Sequence, residues 1–87
     1  MQIHELLNNI KWNPKMENTK YIIRYIHRGE KREYKEVNSE IIKSVHRSYF
    51  TYINENGEET LIPYHRILRI INMENNEVIY RKKNIKI

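Results

Sequence analysis

Four histidines, at positions 4, 27, 46 and 65, are the side chains of this sequence that can move a proton near neutral pH. None stands at the His-x-His or His-x-x-x-His spacing that presents two imidazoles to one metal ion, so no metal site is expected. Two of them lead directly into arginine: His27-Arg28 ahead of Gly29, and His65-Arg66 behind Pro63-Tyr64. Arginine offers a planar fork matched to phosphate oxygens, and a neighbouring imidazole can donate to phosphate or shuttle a proton. Two such pairs converging at the ends of strands would make a phosphate grip. The same residues also admit a structural reading, in which His65 satisfies a turn and Arg66 pairs with a surface glutamate.

Other chemistries are excluded by what is missing. The chain has no cysteine, which removes thiolate nucleophiles, disulfides and Cys-based zinc sites. Its two glycines, Gly29 and Gly57, are too far apart to form a phosphate-cradling loop, and no Gly-x-Ser-x-Gly elbow occurs. No cofactor is expected. Apolar runs of three or four residues are far too short to span a bilayer, which needs roughly 20, and residues 1–10 lack the pattern of a secretion signal. These features point to no membrane association and to a reducing cytoplasm.

Sixteen Lys and Arg against eleven acids leave a net charge of +5, an excess that attracts polyanions, although it also serves solubility alone. Aromatics interleave with the bases: Trp12, Tyr21, Tyr25, Tyr49, Phe50, Tyr52, Tyr64 and Tyr80 alternate with Arg24, Arg28, Arg47, Arg66 and Arg81. Rings that stack bases and arginines that track a backbone suit single-stranded RNA better than duplex. Many of these rings belong to the core, and Trp12 reads more readily as a plug over one end of it.

The elements that must position these groups fit a single domain over residues 1–87, with a basic tail from 82 to 87. Ile3, Leu6, Leu7 and Ile10 fall on one stripe of a helix over residues 2–11, which must stop before Pro14. Residues 20–28 alternate as a strand, and the charged stretch 30–36 reads as a solvated loop. Asn38 followed by Glu40 signals the start of a short helix or single turn near residues 38–45. Two strand-like runs flank Glu55-Asn56-Gly57-Glu58 as a hairpin, and two more, 66–72 and 77–81, flank Met73 to Asn76. The fold class is α+β: an N-terminal helix on a bent antiparallel sheet of about five strands, with closure into a small barrel as the way to hide sheet edges.

With these elements placed, the residues carry a resemblance. Lys11-Trp12-Asn13-Pro14, Tyr25-Ile26-His27-Arg28-Gly29, Ile62-Pro63-Tyr64-His65-Arg66-Ile67 with Ile70, and Val78-Ile79-Tyr80-Arg81 resemble the small archaeal proteins of the RNA cyclic-group end recognition domain family. The likeness runs from the first helix to about Arg81, and the Pro-Tyr-His-Arg-Ile run is its specific part. It implies a stand-alone form of a domain also found fused to RNA-processing enzymes, with a proposed role at RNA ends bearing a 2′,3′-cyclic phosphate. The matching positions are Trp12, His27, Arg28, Tyr64, His65 and Arg66; Arg47 and Lys82 are not among them. The segment Glu30-Lys31-Arg32-Glu33 is more charged than the family pattern.

Three function classes follow. In an RNA-end-binding module, Arg66 and Arg28 hold the terminal phosphate, His65 and His27 hydrogen-bond or polarise it, and Trp12 or Tyr64 stacks the last base. In a cyclic phosphodiesterase, His27 and His65 divide the roles of general base and general acid, though neither begins the His-x-Thr or His-x-Ser motif such enzymes repeat. In an interaction module, the aromatic and isoleucine surface docks on an RNA-processing protein partner.

Overall fold

A computed structural model describes residues 2–13, 19–26 and 34–82. Helix α1 spans Ile3–Trp12 and buries Leu6, Leu7 and Ile10, the stripe anticipated from their spacing. Glu5 in the first turn and Lys11 in the last suit the helix dipole. The Lys11 ammonium also donates to the Ile42 carbonyl at 2.6 Å, tying the end of the helix to the sheet beside it.

Seven strands follow: β1 (Tyr21–Ile26), β2 (Tyr34–Asn38), β3 (Ile42–Val45), β4 (Tyr49–Ile53), β5 (Glu59–Pro63), β6 (Ile67–Asn72) and β7 (Val78–Arg81). They form two antiparallel sheets, one ordered β2-β1-β6-β7 and the other β3-β4-β5. In β1, Tyr21, Ile23 and Tyr25 are buried while Ile22, Arg24 and Ile26 are half-buried, the alternation of a strand with one face on the core. One cluster joins helix and sheets, with Leu7, Ile23, Phe50, Ile67 and Ile70 fully buried within it.

Both hairpins form where the turn residues place them. Gly57 adopts φ 78° in the β4–β5 turn, and the Asn54 side-chain oxygen accepts from the backbone N–H groups of Asn56 and Glu58. Asn76 takes φ 59° between β6 and β7, as Asn tolerates.

The expected architecture needs three corrections. The stretch 30–36 read as a charged loop gives way at Tyr34 to β2, whose Lys35 and Glu36 are exposed while Val37 is buried. Charge suits an edge strand, which is why polarity there misleads. Of the short helix or single turn expected near residues 38–45, the structure has the single turn, a 3₁₀ turn over Ser39–Ile41, and β3 takes the rest of that range. Asn38 does cap, accepting from the Glu40 N–H at 2.9 Å, but the β-branched Ile42 and Val45 pair with β4 instead of continuing the helix. Finally, among the described residues there are seven strands in two sheets rather than about five in one, and they close no barrel. The edge strands β2 and β5 line opposite walls of an open cleft.

The chain crosses between the sheets twice in the described residues, at Ser39–Ile41 and at a second 3₁₀ turn, Tyr64–Arg66. That second crossing is the Pro-Tyr-His-Arg-Ile run.

Candidate nucleic-acid interface

Pro63 enters the crossing turn at φ −64°, and the Ile67 N–H closes it on the Tyr64 carbonyl. With three residues per turn, consecutive side chains point in three directions. Tyr64 points inward and is only 8% exposed. Its N–H donates to the Ser48 carbonyl at 3.0 Å and its phenol donates to the His46 carbonyl, while its ring lies 6.5 Å from that of His4. Burial pushes the Tyr64 phenol up to about 12. Tyr64 therefore fastens the turn to the β3–β4 connection. His65 is exposed, and its carbonyl accepts from the Lys82 ammonium. Arg66 is half-buried and lines the cleft.

The cleft encloses roughly 710 Å³, within the range of about 300–1,000 Å³ common to ligand sites. Its walls are Lys35 to Asn38 of β2 and the β4–β5 hairpin, with Tyr25 and Tyr52 between them. These two phenols share a hydrogen bond of 2.8 Å. Only one O–H is used in that bond, so the other is left to donate to a ligand. Burial first, and Tyr52 second, raise the Tyr25 phenol far above its ordinary value, so Tyr25 stays protonated at neutral pH.

Several polar groups along the cleft are already committed. Asn54 holds its own turn and donates to Thr60 at 3.3 Å, Asn38 caps the first 3₁₀ turn, and Glu36 accepts from Arg24 at 3.0 and 2.9 Å. Arg66, Lys35 and the Asn56 amide have no side-chain partner among the described residues, and they line the same space. The uncommitted groups are thus two cations, an amide and a hydroxyl proton, a set that suits a phosphate ester more than an apolar ligand.

The anticipated site residues divide. Tyr64, His65 and Arg66 are contiguous at the turn, but Tyr64 supports it from below and presents no free ring face. Trp12 is the last residue of α1, 67% exposed, with the Lys11 ammonium 5.2 Å from its ring centre, so it plugs nothing. It stands eight residues along the helix from His4, about 12 Å, and so at the far end from Tyr64. His27 and Arg28 lie outside the described residues; β1 ends at Ile26, which lines the cleft. Sequence reasoning passed over Lys35, Tyr25 and Tyr52 as cleft residues, and over His46, Arg47 and Lys82 as neighbours of the turn. Alternation groups Tyr25 with Tyr21 and Ile23 on one face of β1, but nothing in the sequence signals which face is buried or that Tyr52 lies opposite.

The model of the MJ1316 RNA cyclic group end recognition domain matches residues 1–82. The chain belongs to this family. Its relatives include a UPF0248 protein of Methanococcus maripaludis, 36% identical over 81 residues, covering 93% of this chain and 99% of the relative. The UPF0248 protein MJ1316 of Methanocaldococcus jannaschii is 31% identical over 81 residues, 93% and 94% of the two chains. A UPF0248 protein of Thermococcus gammatolerans is 33% identical over 84 residues, 97% and 93%. No solved structure matches the chain. Among the described residues of this member of the MJ1316 domain family, no helix is long and apolar enough to cross a membrane.

Proposed function

We propose that this chain binds the ends of single-stranded RNA in RNA processing or repair, in the cytoplasm, and seats the terminal phosphate, including a 2′,3′-cyclic phosphate, at Arg66. The observation that carries the reading is an uncommitted arginine held on a polar cleft by a turn that Tyr64 fastens from beneath. A cyclic phosphate is a monoanionic diester. The guanidinium fork can take its two free oxygens, and the spare phenol proton of the Tyr25–Tyr52 pair can meet an ester or ribose oxygen. Lys35 adds a second positive charge at the cleft wall. His65, beside Arg66, is the imidazole within the turn, and His27 and Arg28, which follow Ile26 in the chain, are assigned to the same phosphate. Trp12 is assigned to a base other than the terminal one, because α1 carries it away from the turn. The family description and the net charge of +5 support this reading, and the absence of cysteine supports the compartment.

The test uses anisotropy of RNA labelled at the 5′ end, which reads binding wherever on the chain it occurs. One short RNA is titrated with a 2′,3′-cyclic phosphate, a 3′-phosphate and a 3′-hydroxyl in turn. Binding is expected to be tightest for the cyclic end and to weaken by roughly tenfold or more in Arg66→Ala, the loss of one charge-assisted contact. Equal affinity for all three ends, with Arg66→Ala unchanged, would overturn the proposal. Product analysis of the same samples tests turnover, since conversion to a linear phosphate would make the site a phosphodiesterase.

A further inference from the structure

The four-stranded sheet carries a row of charges on the face opposite Tyr21, Ile23 and Tyr25. In register across β2, β1, β6 and β7 stand Glu36, Arg24, Arg69 and Arg81. Glu36 is committed to Arg24, whose guanidinium lies 4.6 Å from the Tyr34 ring centre. Arg69 and Arg81 are left as a directly opposed cross-strand pair, and neither has an acidic partner among the described residues. Like charges in that position repel at a Cα separation of about 4.5–5.5 Å. An anion above the sheet would turn that repulsion into a shared contact.

The row does not stand alone. Lys82 follows Arg81, donates its N–H to the Leu68 carbonyl at 2.9 Å and places its ammonium on the His65 carbonyl. Lys82 therefore ties the end of β7, next to Arg81, to the turn that carries Arg66. The next row in register on this face is Asn38, Ile22, Ile71 and Val78, apolar and half-buried in its last three members. A cationic row beside an apolar one matches a strand that places phosphates on one side and bases on the other.

We infer that the outer face of the four-stranded sheet is a second RNA-binding surface, where Arg69 and Arg81 hold phosphates of the single strand leading to the end seated at Arg66. The ligand class rests on the function proposed above; the surface itself rests on the register.

The experiment compares the full chain with Arg69→Gln/Arg81→Gln, Arg69→Lys/Arg81→Lys and Arg66→Ala. Each is titrated over a range of salt with a dodecanucleotide and with a dinucleotide, both ending in a 2′,3′-cyclic phosphate, and thermal unfolding is recorded in parallel. Arg69→Gln/Arg81→Gln should bind the dodecanucleotide roughly tenfold more weakly and lower its log K against log[salt] slope by about 1.4, two phosphate contacts on a single strand. Its dinucleotide affinity should not change, its melting temperature should not fall, and the lysine pair should keep the slope.

An unchanged dodecanucleotide affinity and slope would overturn the inference, and Arg66→Ala weakening the dinucleotide in the same series would show that the end site stands without it. Loss confined to the Arg69/Arg81 variants, with Arg66→Ala indifferent, would support the sheet surface and remove the end site. An oligoglutamate peptide that displaces the dodecanucleotide at lower concentration than RNA itself would also overturn the inference, in favour of an acidic protein partner.

Discussion

Replacing Tyr64 with phenylalanine isolates the bond that fastens the crossing turn. The ring is 8% exposed and would keep its packing, so the substitution opens no cavity and removes only the phenol oxygen. The phenol O–H donates to the His46 carbonyl, which would be left without its partner in the β3–β4 connection. Losing one buried hydrogen bond of this kind costs about 1.5 kcal/mol. For a domain of 87 residues, where 1 kcal/mol corresponds to roughly 4–8 °C, melting should fall by about 6–12 °C. Circular dichroism melts at neutral pH measure this, and hydrogen exchange gives a local readout. The Tyr64 amide, bonded to the Ser48 carbonyl at 3.0 Å, should lose protection faster than the amides of β1. A variant melting within a degree or two of the parent, with that amide equally protected, would refute the idea that Tyr64 holds the turn in place.

Alkaline pH should act through the same residue. Burial holds Tyr64 up to about 12 and raises Tyr25 as well, against about 10 for a tyrosine in the unfolded chain. Stability is then fully present below pH 10 and is lost as pH rises past that value toward 12, because only the unfolded chain releases these protons; equal urea midpoints at pH 9 and pH 11 would contradict this. Leu7→Ala removes a fully buried side chain at the junction of helix and sheets, at a cost of about 2–5 kcal/mol, and should leave the chain largely unfolded or strongly destabilised in thermal melts. Gly57→Ala meets no atom within 4 Å but must adopt φ 78°, so about 1 kcal/mol of stability should go while RNA affinity stays, as paired melting and anisotropy measurements would show.

Much of the scaffold was legible from periodicity and turn chemistry. The stripe of Leu6, Leu7 and Ile10 and the Asn-Gly turn each have one local solution, and the structure adopts it; β1 is legible as a strand, but apolar residues on both its faces leave its facing to the tertiary structure. The i, i+3, i+4 spacing of Ile67, Ile70 and Ile71 also fits a helix, but turn signals flank residues 66–72, and the structure has the strand β6 there. β2 was hidden because an edge strand displays charge, as a loop does. At Asn38 the capping signal was genuine, but it serves only one 3₁₀ turn before β3 begins.

The site was less legible because residue type does not fix burial. Tyr64 is covered and Trp12 is open, the reverse of what a stacking tyrosine and a plugging tryptophan require. Arg66 could be named from its motif, but its cleft exists only because β2 and β5 remain apart. The facing of Arg69 and Arg81 depends on irregularities in both neighbouring strand pairs, between Arg24 and Tyr25 and between Ile70 and Ile71, and no pattern in the sequence announces such shifts of register.

The two-sheet connectivity also has a kinetic side. Strands β3, β4 and β5 are consecutive and pair with their neighbours, so that meander can form from short-range contacts. By contrast β1 and β6 pair Tyr21 with Asn72 and Tyr25 with Ile67, and the whole meander lies inside the loop that this pairing closes. Closing a long flexible loop costs entropy, and a loop already condensed into a hairpin-built sheet has less to lose. The order of events is thereby nested: the meander condenses first, and the union of β1 with β6 completes the cleft and the arginine row together as a late step of folding.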